Sequence, residues 1–133
     1  MIQKVIGMLS LFIFVSMVTG CWQTEVGRSY YPSGKIKTEA QTNRGLLDGH
    51  AVTYYENGKK KSEAEYHSGI LDGKTVAYYK NGAKKAEATY SDGVLNGTSI
   101  NWDENGKKLS EATFVFGRLQ NNSVGTSFSS KNR

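Results

Sequence analysis

The sequence predicts an all-β chain: an elongated single-layer antiparallel meander of about four 24-residue β-hairpin repeats. Three observations carry this expectation. Tyr30-Tyr31-Pro32-Ser33-Gly34-Lys35 returns as Tyr54-Tyr55-Glu56-Asn57-Gly58-Lys59, as Tyr78-Tyr79-Lys80-Asn81-Gly82-Ala83 and, more loosely, as Trp102-Asp103-Glu104-Asn105-Gly106-Lys107, with starts 24 residues apart. Asn-Gly pairs between alternating segments are strong hairpin signals. Finally, 15 glycines stand against one proline in 133 residues. Such a chain needs positive φ often and a fixed φ rarely. With 38% hydrophobic and 11% aromatic residues, one domain is expected. Collagen-like, proline-rich and disordered classes are excluded.

The N-terminus reads as an address. Met1 to Lys4 carry one positive charge, and Val5 to Val18 form a 14-residue apolar run broken only by Gly7, Ser10 and Ser16. A membrane-spanning helix needs about 20 apolar residues, so the length suits a signal sequence. Val18-Thr19-Gly20-Cys21 then resembles the bacterial lipobox, in which cleavage falls between Gly20 and Cys21 and the cysteine is lipidated. The resemblance implies a membrane partner reached through acyl chains on Cys21. Two or more such chains suffice for stable anchoring. Trp22 is not the aspartate that would retain a lipoprotein in an inner membrane. The expected location is therefore the bacterial envelope, on the periplasmic side of an outer membrane. Loss of residues 1–20 leaves sixteen basic against twelve acidic residues. That surplus is too modest and too spread for nucleic acid.

Residues 21–29 read as a tether, followed by repeats over 30–53, 54–77, 78–101 and 102–121. Beyond the aromatic start, the columns Glu39, Glu63, Glu87, Glu111 and Ala40, Ala64, Ala88, Ala112 keep step, as do Gly45, Gly69, Gly93, Gly117 and Leu47, Leu71, Leu95, Leu119. Two turn types compete at Asn57-Gly58. A two-residue loop pairs Tyr54 with Lys61 and Val52 with Glu63, mixing apolar and charged residues. A three-residue loop, a type I turn closed by a left-handed glycine, pairs Tyr54 with Lys60 and Val52 with Ser62. Its inner face then collects Val52, Tyr54, Ser62, Ala64 and Tyr66. Pro32 at the second turn position favours the three-residue loop, which is preferred. The stretch Ser68-Gly69-Ile70-Leu71-Asp72-Gly73 turns the chain into the next hairpin. In all, 11 glycines fall at repeated turn positions: 34, 45, 49, 58, 69, 73, 82, 93, 97, 106 and 117. Residues 122–133 read as a cap strand and a frayed tail, with Val124 in the column of Ile100.

The unit Tyr-Tyr-x-Asn-Gly-x-Lys-x-x-Glu-Ala-x-Tyr-x-x-Gly-x-Leu-Asp-Gly resembles the MORN-variant repeat of bacterial proteins often labelled antitoxin-like. The resemblance covers residues 30 to about 121. It implies a repeat fold and an immunity-like or antitoxin-like role in binding a protein.

Little in the chain carries chemistry. His50 and His67 occupy different columns and lack a partner at metal-ligand spacing. No Ser-His-Asp elbow or phosphate-cradling loop appears. Asp48 and Asp72 give way to Asn96 in the third unit, which weakens a calcium reading. Cysteine occurs once, so an intramolecular disulfide or a CxxC site is excluded. Neither cofactor nor metal is expected, and no enzyme activity. The candidate binding face is the outer one, carrying Tyr31, Tyr55, Tyr79 with Lys37, Lys61, Lys85 and Glu39, Glu63, Glu87, where tyrosine gives contact area at low entropic cost. Asp103 and Leu109 break the pattern in the last unit, so the first three units are expected to bind. A membrane-anchored module with a protein partner is the favoured reading. The alternative is a structural envelope lipoprotein holding glycan, peptidoglycan or lipid, because the repeated residues suit a repetitive polymer.

Overall fold

The computed structural model describes residues 24–120. The expected signal sequence at 1–20, Cys21 with its lipid, and the cap strand and tail at 122–133 lie outside the described residues. Ten strands follow in chain order: β1 Glu25–Tyr30, β2 Ile36–Asn43, β3 Leu46–Tyr54, β4 Lys60–His67, β5 Ile70–Tyr78, β6 Lys84–Ser91, β7 Val94–Leu95, β8 Gly97–Trp102, β9 Lys108–Val115 and β10 Arg118–Gln120. They form one sheet in sequence order, with the short β7 paired to β6 ahead of β8. Every pairing is antiparallel. This is the expected all-β meander.

The Asn-Gly loops have three residues. Tyr55 N–H donates to the Lys59 carbonyl at 2.8 Å and Gly58 N–H to the Tyr55 carbonyl at 2.9 Å, with Gly58 at φ 84°. Asn57 Oδ1 accepts from Lys59 N–H at 3.0 Å and fixes the turn from within. Pro32 occupies the matching position of the first loop, where Tyr31 N–H reaches the Lys35 carbonyl at 2.8 Å.

Beyond the loop, the expected register fails. Tyr54 does face Lys60, but the next pairs are Thr53 with Ser62 and Val52 with Glu63, because Lys61 is inserted as a β-bulge. Lys37, Lys85 and Leu109 are inserted equivalently in the other hairpins. One extra residue on one strand restores the pairing that the two-residue loop would have given. The expected inner face is therefore split. Val52 lies on one side of the sheet, while Ser62, Ala64 and Tyr66 lie on the other.

The second glycine of each pair also differs from expectation. The chain reverses at Arg44-Gly45, Ser68-Gly69, Asp92-Gly93 and Phe116-Gly117, where both residues have positive φ. These are two-residue turns of the type I′ class. Gly49, Gly73 and Gly97 lie within β3, β5 and β8, at φ 106°, 120° and 126°. There they form a second set of bulges, such as the shift between Ala64–Thr75 and Tyr66–Leu71. All 11 glycines singled out by the repeat do adopt positive φ, but for two structural reasons rather than one.

Residues 25–29, expected within a tether, are instead most of β1, paired from Glu25–Thr42 to Ser29–Thr38. They occupy the columns of the first strand in every later hairpin, so the first unit is a full hairpin too. The sheet is a single layer, and its core is correspondingly thin. Among the described residues only Val76, at 7% exposure, is buried.

Candidate functional site

Side chains directly opposite in an antiparallel sheet share a face, so the registers define both faces. One face carries Arg28, Glu39, Val52, Glu63, Val76, Glu87, Ile100 and Glu111, each opposite the next from β1 to β9. Acidic and apolar residues alternate along this row, which places Val76 between two carboxylates. Tyr54 donates to Glu39 Oε2 at 2.8 Å and Tyr78 to Glu63 Oε1 at 3.4 Å. Cations complete the network: Arg28 with Glu39, Lys60 with Glu63, Lys74 and Lys84 with Glu87, and Lys108 with Glu111.

These contacts set the protonation states. The hydrogen bond from Arg28, then that from Tyr54, holds the Glu39 carboxyl below its ordinary range. Lys74 and Lys84 do the same for Glu87. The Tyr54 hydroxyl is pushed up by its bond to Glu39, and the Tyr78 hydroxyl mainly by burial and then by the Glu63 charge. The carboxylates stay ionised and the phenols protonated, so none of these groups is poised to exchange a proton near neutrality.

A pH dependence of stability follows with a definite sign. Glutamates with lowered values contribute stability above their unfolded value, about 4.3, and lose it as pH falls through the folded value. Tyrosines with raised values contribute fully below about pH 10 and lose that contribution as pH rises through the folded value. Glu39→Gln with Glu87→Gln is expected to flatten the acid limb of the stability curve and to weaken the part of the alkaline limb that Tyr54 owes to Glu39, leaving the part that Tyr78 owes to burial and Glu63. Denaturant titrations from pH 7 down to acid check it, and an unchanged acid limb would contradict the network.

The loop edge is built differently. Tyr31, Tyr55 and Tyr79 follow the strand ends and are half-buried. Their hydroxyls donate to the carbonyls of Tyr54, Tyr78 and Trp102, at 2.7, 2.8 and 2.9 Å, each in the next hairpin. Over these rings lie the bulged lysines: Lys37 Nζ is 5.9 Å from the Tyr31 centroid, Lys61 5.9 Å from Tyr55 and Lys85 5.6 Å from Tyr79. Successive pairs stand two strands apart, roughly 9–10 Å. The nine candidate residues thus form two groups. The Tyr–Lys pairs line the loop edge, whereas Glu39, Glu63 and Glu87 belong to the acidic row, the first two bonded to other tyrosines and cations and Glu87 to cations alone.

Unit four departs as its sequence suggested. Asp103 replaces the bridging tyrosine and accepts N–H bonds from Asn105 and Lys107 within its own turn, at 3.0 and 2.9 Å. Leu109 takes the bulge position and is exposed. The histidines are exposed, with His67 Nδ1 3.3 Å from Asp48 and His50 Nδ1 3.9 Å from Glu65. No group of three or more His, Cys, Asp or Glu capable of holding a metal ion occurs among the described residues.

Sequence reasoning missed the row of Tyr54 and Tyr78 against glutamate. The signal was present as the recurring Glu and Tyr columns, whose bonded members lie fifteen residues apart, but it needed the bulge to be seen.

The hairpins bounded by the tight turns coincide with a known repeat. The MORN repeat variant model matches residues 26–43, 47–68, 71–92 and 95–115. The chain belongs to that family. Each MORN match spans one hairpin, with the three-residue loop at its middle and the two-residue turns between matches. No curated protein matches the chain, and no solved structure does. The MORN array makes the chain a repeat binding module, each unit contacting its neighbours.

Proposed function

We propose that this MORN array is a membrane-anchored, non-catalytic module that binds an acidic surface of a protein partner along the loop edge of its first three hairpins. One observation carries the reading. Lys37, Lys61 and Lys85 sit over tyrosine rings at equal spacing, and no ion pair engages them among the described residues. The glutamates that could neutralise them are held by other cations. The edge therefore presents a ladder of uncompensated positive charge on aromatic supports, and charge complementarity across an interface governs encounter and specificity. An immunity-like or antitoxin-like role is the form of partner binding that the family resemblance suggests.

The test is co-purification of the full chain from envelope extract, beside the Lys37→Ala, Lys61→Ala, Lys85→Ala triple variant. Stoichiometric capture that falls about tenfold or more in the variant is expected from losing a row of complementary charges. Absence of a stoichiometric protein with the native chain would overturn the reading. A second reading, a structural lipoprotein holding glycan, peptidoglycan or lipid, is favoured by the equality of the three Tyr–Lys pairs, which suits a repeating polymer. Binding to isolated sacculi or anionic vesicles, lost in the same variant, would support it.

Anchoring rests on the Val18-Thr19-Gly20-Cys21 sequence. Cys21→Ser is expected to leave an uncleaved precursor or a soluble product. Unchanged membrane fractionation with unchanged mobility would count against lipidation.

A further inference from the structure

The face opposite the acidic row has a different chemistry. Across it run two rows of small residues. Gly27, Ala40, Ala51, Ala64, Thr75 and Ala88 form one by successive pairing, continued by Ser99 opposite Ala112. The second is Ser29, Thr38, Thr53, Ser62, Ala77, Ala86, Asn101 and Ser110. Beside them stands a ridge in which Tyr66, Tyr90 and Phe114 pair with Leu71, Leu95 and Leu119 and lie opposite the strand glycines. None of these residues is charged, and Glu25, two residues before Gly27 in the edge strand, brings a carboxylate only to the margin of the face. Between Tyr66 and Tyr90 the surface dips into a shallow groove of about 350 Å³, floored by Ala64 and Ala88.

We propose that a second copy of this chain closes this face. A sheet face that carries an aromatic and leucine ridge is normally covered by a second layer, and the described residues supply none: only Val76, on the other face, is buried. The shape is self-complementary. A two-fold axis lying between the sheets, along the Ala64–Ala88 row and across the strands, carries the aromatic ridge of each copy over the small-residue row of the other. Tyr66 and Tyr90 then descend on Ser62 and Ala86 of the second copy, and Ala88 meets its own counterpart. This is an isologous contact with the layering of an aligned β-sandwich. Eight strands about 4.8 Å apart and five residues at about 3.3 Å, from Ser62 to Tyr66 in β4, cover roughly 600 Å² per copy, the lower end of the range for a specific interface. The loop-edge lysines remain outside the contact, so self-association and partner capture are separable.

The experiment uses the full chain in its native membrane and in detergent. Ala88→Cys is expected to form a disulfide-linked dimer on mild oxidation. Thr98→Cys, exposed on the acidic face, is expected to stay at the background of the native chain, which carries only Cys21. Ala64→Lys with Ala88→Lys places like charges face to face across the axis, a strongly unfavourable arrangement. That variant is expected to sediment as a monomer with an unchanged far-UV spectrum, where the native chain sediments as a dimer. A monomeric native chain would overturn the proposal. So would cross-linking of equal yield at both cysteines, or an Ala88→Cys adduct to a different protein.

Discussion

Replacing Gly73 by alanine is expected to destabilise the array by about 3 kcal/mol, while Gly58→Ala costs about 1 kcal/mol. Both glycines have positive φ, 120° and 84°, so backbone strain alone does not separate them. Their surroundings do. A Cβ on Gly58 would meet nothing within 4 Å. A Cβ on Gly73 would lie 2.1 Å from Glu65 Oε2 and 2.8 Å from Glu65 Cβ. The carboxylate could swing away, but Glu65 Cβ is fixed to the neighbouring strand and cannot. Displacing Glu65 would also free Lys74 N–H, which donates to Glu65 Oε2 at 3.2 Å. The bulge therefore needs glycine for conformation, for space and for its hydrogen bond at once. Gly49 repeats the arrangement, with Gln41 Oε1 at 2.1 Å from the added Cβ and accepting from His50 N–H at 2.8 Å. Gly97 is milder, because Thr89 Cβ at 3.1 Å is about as near as Gln41 Cβ at Gly49 but no side-chain oxygen comes closer than Thr89 Oγ1 at 3.5 Å. The expected order of cost is Gly73 and Gly49, then Gly97, then Gly58, read as shifts in urea midpoint of the full chain at constant m-value. Equal costs at Gly58 and Gly73 would show that the side-chain interlock contributes nothing.

This contrast also explains where sequence reading succeeded. The repeat period and the Asn-Gly loops were legible because turn chemistry is local: a left-handed glycine after an Asn states its own geometry. Pro32 added a vote that the structure upholds. What was not legible was the single inserted residue at Lys37, Lys61 and Lys85. Alternation has a period of two, so one bulge exchanges every side chain beyond it between faces, and nothing about a lysine announces that it is the extra residue. Consequently Val52 and Ala64 were expected on one face and lie on opposite ones. The same bulge separated the candidate site into a Tyr–Lys edge and an acidic row. The glycines at 49, 73 and 97 resisted for a related reason. Their period matched that of the turn glycines, but their cause lies in the side chains of an adjacent strand. The small-residue face was hidden too, since its two rows emerge only when the register is known.

Tyr55→Ala is expected to cost about 2–3 kcal/mol and Tyr55→Phe about 1 kcal/mol, because the first removes a half-buried ring and the second only its hydrogen bond. Each such hydroxyl donates to a carbonyl 23 residues ahead. Tyr31 thus fastens hairpin one to two, Tyr55 two to three and Tyr79 three to four. In an array stabilised by nearest-neighbour contacts, position decides how a broken link is felt. Weakening the link at Tyr31 lets one terminal hairpin open, with three units still joined. Weakening it at Tyr55 divides the array into halves of two hairpins, each with less surface to bury. Hydrogen exchange of the full chain should show this: Tyr31→Ala should deprotect β1 and β2 selectively, whereas Tyr55→Ala should lower protection throughout. Uniform loss from both variants would mean that the sheet opens as one unit. The proposed partner binding is affected accordingly. If the edge captures a partner, alanine at Tyr55 or Tyr79 would weaken capture by loosening the ladder even where neither ring is touched. Phenylalanine keeps the ring beneath the lysine and removes only the interhairpin bond, while Lys61→Ala removes the charge and keeps the bond. A partner lost with Lys61→Ala and retained with Tyr55→Phe is bound by the edge itself; the reverse outcome assigns the loss to the scaffold.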